Sequence, residues 1–451
     1  MTSFLLPSRY TSFLPRFSKL ASVSIVSNMM VPLAGICDTA FLGHLADIRH
    51  LAGVILGGIL FDYLYRILKF FRNGTNAITA RAVGKDDPEQ VILAALRGGL
   101  VALAIAIIIL ILQHPIQQLG FAILSGSPDI EAMGIDYYNA RIWGAPAVLL
   151  NFVLIGWFLG QEKSSLVLAI SLVGNGMNVV LDYLMINQWG WSSMGAGLAT
   201  AISQYLALLV ALIGVAVSLK WEVFTNALQQ VLDGKALKST VILKGNILVR
   251  YLAMITAYSI FTNLSASMGT EVVAANGLLL QIVLLSQFTV NGIGLTTQTL
   301  TGNFKGKAET QKIMPLLLVA TISSLAIASV LALVSILFPQ PVFNLLTSHG
   351  EITHGAIAYI TWLLPLLSCG AIALVLEGFV IGLKESGKLR NSALIALGCG
   401  FMPMAWYAWY LQNNHLLWLS LTLYMAVLAI SLGGKIWSIG ITKKLSWQNE
   451  S

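Results

Sequence analysis

Residues 92–112 read ILAALRGGLVALAIAIIILIL, twenty-one positions with one charge, Arg97. A helix of about 20 apolar residues crosses the hydrocarbon core of a bilayer, and this run is of that length. Similar runs recur from one end of the chain to the other. Across all 451 residues, 57% are hydrophobic and only 10% charged. A soluble globular chain carries roughly 25% charged residues, so this one lacks the charge to cover a wet surface. Its outside must be lipid.

Working outward from that run, apolar stretches place spans at 20–42, 51–80, 92–112, 137–160, 165–187 and 195–218, then at 241–267, 273–300, 314–338, 355–383, 391–411 and 415–438. The expected fold class is therefore an all-α polytopic membrane protein of twelve transmembrane helices. Residues 219–240 read as a polar linker between an N-terminal lobe, 1–218, and a C-terminal lobe, 241–451. Arg9, Arg16 and Lys19 precede the first span, which is too long for a signal-peptide core and reads as a retained helix. Cys37, Cys369 and Cys399 all lie inside apolar runs, without pairing or metal-ligand spacing, and read as packing residues.

The charges test the count. Of 26 Lys and Arg, Arg49 alone falls in an outside loop, and Arg66, Lys69, Arg72, Arg141 and Arg250 are set apart as charges within spans, while Arg97, Lys244 and Lys435, near the ends of their spans, are counted with the loops beside them. The other twenty gather on one side, from Arg9, Arg16 and Lys19 through Lys220, Lys235, Lys238 and Lys244 to Lys435, Lys443 and Lys444. Short cytoplasmic loops collect Lys and Arg, so both termini are expected in the cytoplasm, of a chain in the plasma (inner) membrane. The net charge of +7 is thus a matter of topology and gives no reason to expect nucleic acid. The connection at 113–136 holds Asp129, Glu131 and Asp136 and no Lys or Arg, as an outside loop should.

The two halves resemble each other. At an offset of 218 residues, Asn28 matches Asn246, Asn73-Gly74 matches Asn291-Gly292, Thr79 matches Thr297 and Gly84 matches Gly302. Gly156-x-x-x-Gly160 likewise matches Gly378-x-x-x-Gly382, a spacing that also serves ordinary helix packing in membranes. Two parallel repeats imply a pseudo-two-fold axis along the membrane normal and a cavity between lobes, the geometry of alternating access.

Ionisable residues inside spans are expensive and mark function by default. Asp38 lies in span 1, and Asp182 lies in span 5, one helical turn after Asn178. Their counterparts in the second half, Thr256 and Trp406, are not acidic. Two carboxyls together in low dielectric cannot both hold charge cheaply, which suits carriage of a proton. The same oxygens, with that of Asn178, equally suit Na⁺. In span 2, Asp62, Arg66, Lys69 and Asn73 form one polar stripe at helical spacing. Asp62 and Arg66 are expected to pair, leaving Lys69 as surplus positive charge. With Gln287 and Asn291 of span 8, this stripe is the candidate substrate cavity. Glu377 in span 10 is a C-lobe acid, read either as a second coupling group or as a packing hydrogen-bonder. Arg141 and Arg250 read as snorkelling or interhelical bonding residues. His44, His50, His114, His354 and His415 fall in outside loops or at span edges, so no histidine relay is indicated. There is no HExxH, GxSxG or P-loop pattern, so an enzyme or an ATP-driven pump has no residue support.

In order and spacing, the motifs resemble the MATE (multidrug and toxic compound extrusion) transporters, DinF-like branch, over nearly the whole chain. The carriers are Pro32 with Asp38-Thr39-Ala40-Phe41-Leu42-Gly43, Phe71-Arg72-Asn73-Gly74-Thr75, Tyr138-x-x-Arg141 before Pro146, and Asn178-Val179-Val180-Leu181-Asp182. Gly195-Ala196-Gly197, Ala274-Ala275-Asn276 and Glu377-Gly378 through Arg390-Asn391 continue them. The resemblance implies two six-helix bundles around a central cleft and efflux driven by inward H⁺ or Na⁺. It also assigns cation coupling to Asp38, Asn178 and Asp182, with helix 1 bending at Pro32. Asn291-Gly292 departs from the Asp-Gly of many relatives, and the charges of span 2 depart from a mostly apolar helix. The function expected is a secondary antiporter, H⁺-coupled, exporting small organic compounds, with an organic anion suited to the stripe. The alternative is a lipid-linked oligosaccharide flippase of the wider superfamily. No cofactor or bound metal is expected beyond the transported H⁺ or Na⁺; the partners are lipid, substrate and coupling cation, around a monomer.

Overall fold

The computed structural model describes residues 12–45, 47–124, 127–219, 221–344 and 350–448. Arg9 and Lys220 lie outside the described residues, as do the side chains of Lys435, Lys443 and Lys444. Among the described residues, twelve helices are long and apolar enough to cross a membrane: α1 Leu14–Gly43, α2 Ile48–Gly84, α3 Pro88–Ile111, α4 Pro128–Gly160, α5 Ser164–Gln188 and α6 Ser192–Ser218, then α7 Gly234–Ser267, α8 Thr270–Gly306, α9 Thr310–Leu337, α10 Ile360–Gly382, α11 Ser386–Tyr410 and α12 Asn414–Gly434. No strand occurs among the described residues. The all-α polytopic fold read from hydropathy is the fold observed.

Local chemistry sets the helix starts. Asp87 accepts from the Gln90 amide at 3.0 Å and Pro88 opens α3, where a missing N–H costs nothing. Asp47 caps α2 in the same way, accepting from the Arg49 amide at 3.0 Å. The Arg49 side chain then grips the Asp47 carboxylate at 2.7 Å and reaches Asp129 at 3.1 Å, beside the first turn of α4. Arg49 thereby holds the Asp47 carboxyl down at about 2. Arg49, read from the sequence as an outside-loop cation, lies in the first turn of α2 and is a staple between two helix starts.

The chain divides into two compact units. The first comprises Ser22–Lys244 with Gly306–Ala308; the second comprises Met1–Ala21, Gly245–Lys305 and Glu309–Ser451. In the first, α4 packs on α2 and α6, and α6 on α5; in the second, α10 packs on α9 and α12. A Cβ at Gly156 would collide with the Arg72 carbonyl, and one at Gly160 would lie 2.6 Å from Thr79 Cβ. In the second unit a Cβ at Gly378 would collide with the Gly294 carbonyl, and one at Gly382 would lie 3.0 Å from Thr301 Cβ. The glycine pairs are therefore seats for backbone of a neighbouring helix, one in each unit.

These seats correct the repeat register. Gly156 and Gly378 meet Arg72 and Gly294, and Gly160 and Gly382 meet Thr79 and Thr301. The structural partner of Thr79 is thus Thr301 rather than Thr297, and the offset is 222 residues rather than 218. The left-handed loop residues agree, since Asp86 pairs with Ala308 and Glu162 with Lys384 at the same 222. A slip of one helical turn returns nearly the same face, so matching residue types alone could not detect it.

Residues 219–240, read as a linker, form a connecting helix, Trp221–Gln230, and from Gly234 the start of α7. The connecting helix docks on α3: Ala227 is buried against Ile92 and Leu93, with Val223, Phe224 and Val231 around them. Arg97, only 6% exposed, caps its end by donating to the carbonyls of Gln230 at 2.7 Å and Val231 at 3.3 Å. Lys244, read as a loop charge, is instead buried in the first unit, its Nζ 4.8 Å from the centre of the Phe71 ring. Gly74 and Gly98 make room for it; a Cβ would lie 2.7 Å from Lys244 Cγ at the one and 3.2 Å from Nζ at the other. Replacing Arg97 by Met should cost about 1–3 kcal/mol, because hydrogen bonds from a charged donor to the helix-end carbonyls are lost. Thermal unfolding of the purified protein in detergent checks this; an unchanged midpoint would show that the connecting helix does not rely on Arg97.

Candidate functional site

The acids of the first unit converge. Asp38 comes from α1 and Asp182 from α5, and their side chains lie within hydrogen-bonding reach of each other. Asp182 has no exposed surface and Asn178 is buried one turn before it. Asn178 donates through Nδ2 to Asp182 Oδ2 at 2.9 Å and lies 3.5 Å from Thr200 Oγ1 of α6. Thr200 is itself held by donating to the Ala196 carbonyl at 2.9 Å. Regular α-helix ends at Asp182, and Tyr183–Gln188 continues as a π-helical turn. Such turns occur frequently at functional sites. Pro32, inside α1, cannot donate to the carbonyl of Asn28, the usual cause of a bend. The Asn28 side chain instead accepts from Arg72 Nη1 at 3.1 Å.

One oxygen on each acid, Asp38 Oδ1 and Asp182 Oδ1, is buried without a donor. Two ionised carboxylates can only accept, so they cannot bond each other. A single proton shared between them would supply a donor. This is the chemistry that the pair can perform.

A residue that the sequence reading set aside stands beside this pair. Arg141, from α4, lies within Coulombic range of both Asp38 and Asp182. Its guanidinium sits 4.6 Å from the ring centre of Phe61, 5.5 Å from that of Tyr137 and 5.9 Å from that of Tyr65. It also donates to Tyr137 Oη. The signal was present in the sequence, since Tyr137 stands one helical turn before Arg141 and Phe61 one turn before Tyr65. What joins the two helices was not.

The stripe of α2 divides. Asp62 is exposed, Arg66 and Lys69 are partly buried, and Asn73 is buried. The expected Asp62–Arg66 pair does not close: it is absent from the ion pairs of the described residues. Backbone hydrogen bonds run through Lys69, which donates to the Tyr65 carbonyl at 3.1 Å and accepts from the Asn73 amide at 3.3 Å, so the stripe keeps its helical register while its burial deepens toward Asn73. In the second unit, Gln287 donates to Tyr258 Oη at 2.6 Å, and Asn291 is half-buried one turn on.

Glu377 also belongs to the second unit. Arg250 of α7 donates to Glu377 Oε1 at 2.5 Å, with both side chains buried. Asn276, of the Ala274-Ala275-Asn276 motif, donates to Ser265 and Asn414 at 2.7 Å each and accepts from Trp418 at 2.8 Å. That motif ties α7, α8 and α12 together.

The MatE family model matches residues 24–184 and again 247–406. The chain belongs to this family. The second match begins 223 residues after the first and ends 222 after it, in line with the packing register. Among relatives, this MATE chain is 29% identical over 418 residues to the DNA damage-inducible protein F of Escherichia coli, covering 93% of this chain and 90% of that one. It is 25% identical to the chloroplastic protein DETOXIFICATION 44 of Arabidopsis thaliana, over 92% of this chain and 80% of that one. Its fold matches a MOP superfamily transporter from Pyrococcus furiosus with a TM-score of 0.85 at 18% identity, over 95% of this chain and 96% of that one. A Vibrio cholerae MATE transporter matches with a TM-score of 0.84 at 18% identity, over 96% of this chain and 99% of that one. This MATE protein is a multi-pass membrane transporter of the multidrug and toxic compound efflux family, homologous to DinF, and not an enzyme.

Breaking the buried Arg250–Glu377 pair on one side should destabilise by about 3–5 kcal/mol, because the remaining charge is left uncompensated. Glu377→Gln and Arg250→Met are therefore each expected to lower the unfolding midpoint, and the double variant to recover part of it. A double-mutant cycle on thermal unfolding measures this, and strictly additive losses would contradict a direct pair.

Proposed function

We propose that this MATE transporter exports small organic compounds by antiport against an inward flow of protons, with Asp38 and Asp182 carrying the proton and Asn178 orienting Asp182. The observation that carries the reading is the pair of neighbouring carboxyls, each with a buried oxygen that no protein donor reaches and that a shared proton would complete. The orientation of Asn178 favours H⁺ over Na⁺. It turns an N–H toward Asp182, whereas a hard cation takes oxygen ligands. Loading and unloading that proton changes what α1 meets, and α1 is weakened at Pro32, so the helix is suited to reshape with each cycle.

The charge asymmetry supports a plasma (inner) membrane orientation with both termini cytoplasmic. Arg66 and Lys69 give the surface of α2 an excess of positive charge, which suits an organic anion as cargo. The solved Pyrococcus furiosus transporter is described as having a binding pocket of reversed polarity that suggests a different function. A positive stripe here would be a departure of the same kind.

Flux in proteoliposomes, with proton and Na⁺ gradients imposed independently, tests the coupling. Asp38→Asn and Asp182→Asn should each abolish proton-driven efflux while the protein still reaches the membrane; normal transport by either variant sinks the site assignment. For the cargo, Arg66→Gln should shift preference away from organic anions in a panel that also holds organic cations and a lipid-linked sugar. An unchanged ranking would remove the stripe from substrate recognition.

A further inference from the structure

We propose that Arg141 is the fixed cation of the coupling site, limiting the site to one proton per cycle and denying it to Na⁺. This rests on the reading of Asp38 and Asp182 as the proton carriers.

The charge count comes first. Two ionised carboxylates and one guanidinium carry one net negative charge, and a single proton cancels it. Without the guanidinium the same pair would carry two, and would call for a second cation.

How Arg141 is held matters as much as its charge. If it bonded the acids directly, its fork of N–H groups would satisfy their oxygens, and neither acid would have use for a proton. That does not occur: among the described residues no ion pair joins Arg141 to Asp38 or Asp182. The guanidinium is kept aside by the Phe61, Tyr65 and Tyr137 rings and by its bond to Tyr137 Oη, while its Nε is buried with no partner. Ring faces attract a cation without supplying a formal counter-charge. Arg141 therefore acts on the pair through space and leaves Asp38 Oδ1 and Asp182 Oδ1 open to a proton.

Na⁺ meets two obstacles that a proton does not. It requires several oxygen ligands, yet Asn178 turns an N–H toward Asp182. It would also add a second full positive charge beside the guanidinium. The other ionisable groups around Arg141 and the pair are Cys37 on α1 and Asp62 and Tyr65 on α2, with Tyr137 on α4 itself. Of these only Asp62 is an acid, and it is exposed and shares its helix with Arg66 and Lys69.

The test uses the full-length protein in proteoliposomes. Wild type should run on an imposed proton gradient and ignore a Na⁺ gradient. Arg141→Gln should acquire a response to the Na⁺ gradient, and Arg141→Lys should behave as wild type. A variant that merely loosened packing would lose flux without changing its ion. Arg141→Gln that still runs on protons alone overturns the proposal, as does wild-type flux driven by Na⁺. Should Arg141→Gln not reach the membrane, Tyr137→Phe removes only the hydroxyl that holds the guanidinium aside. It should move the pH profile of flux, and an unmoved profile overturns the proposal. Normal transport by Asp38→Asn or Asp182→Asn instead defeats the coupling reading itself, a separate outcome.

Discussion

Charge in hydrocarbon is the constraint to which every notable feature of this molecule answers. An ion inside a membrane protein costs several kcal/mol unless something close by compensates it, and each one here has a distinct remedy. Arg250 closes on Glu377, two formal charges becoming one neutral pair. Arg97 spends its hydrogens on the last carbonyls of a helix, where the dipole is negative. Lys244 lies against an aromatic face. Asp38 and Asp182 are the exception, since no fixed donor completes them. A site left incomplete by the fold is one that a mobile ion can complete, which is why the proposed coupling rests on this pair and not on Arg250 and Glu377.

The two halves share a scaffold and differ in chemistry. Left-handed residues recur at equivalent loops with unrelated side chains, Asp86 with Ala308 and Glu162 with Lys384. Glycines recur where α4 seats on α2 and α10 on α8. The acids do not recur. The first unit leaves one oxygen of each carboxyl without a donor, whereas the second commits its own acid to an arginine. A doubled backbone thus carries one pair of acids without a cation bonded to it and one acid neutralised by an arginine.

Much of this was legible in the sequence because hydrocarbon leaves few solutions. Twelve helices follow from run length, and Asp38, Asn178 and Asp182 stand out because acids and amides are conspicuous in apolar spans. Failures arose where periodicity is ambiguous or where meaning depends on a neighbour in another helix. A register error of one helical turn keeps the same face, so the repeat offset came out four residues short. Asp62 and Arg66 have the spacing of a pair, but helical spacing gives proximity of Cβ atoms and not closure of the ends. Arg141 was discounted for the same reason, because a lone arginine in a span gives no sign of which rings will surround it.

The burial of Lys244 bears on how the protein is made. Six helices of the first unit leave the ribosome before it, yet the slot beside Gly74 and Gly98 is filled only when this lysine follows. Until then two helices of that unit face an empty groove lined by glycine. A first half cut at the end of α6 would keep that groove, and one cut just after Lys244 would not. The first compact unit of this duplicated chain therefore runs past its six spans to Lys244, on the helix that opens the second half.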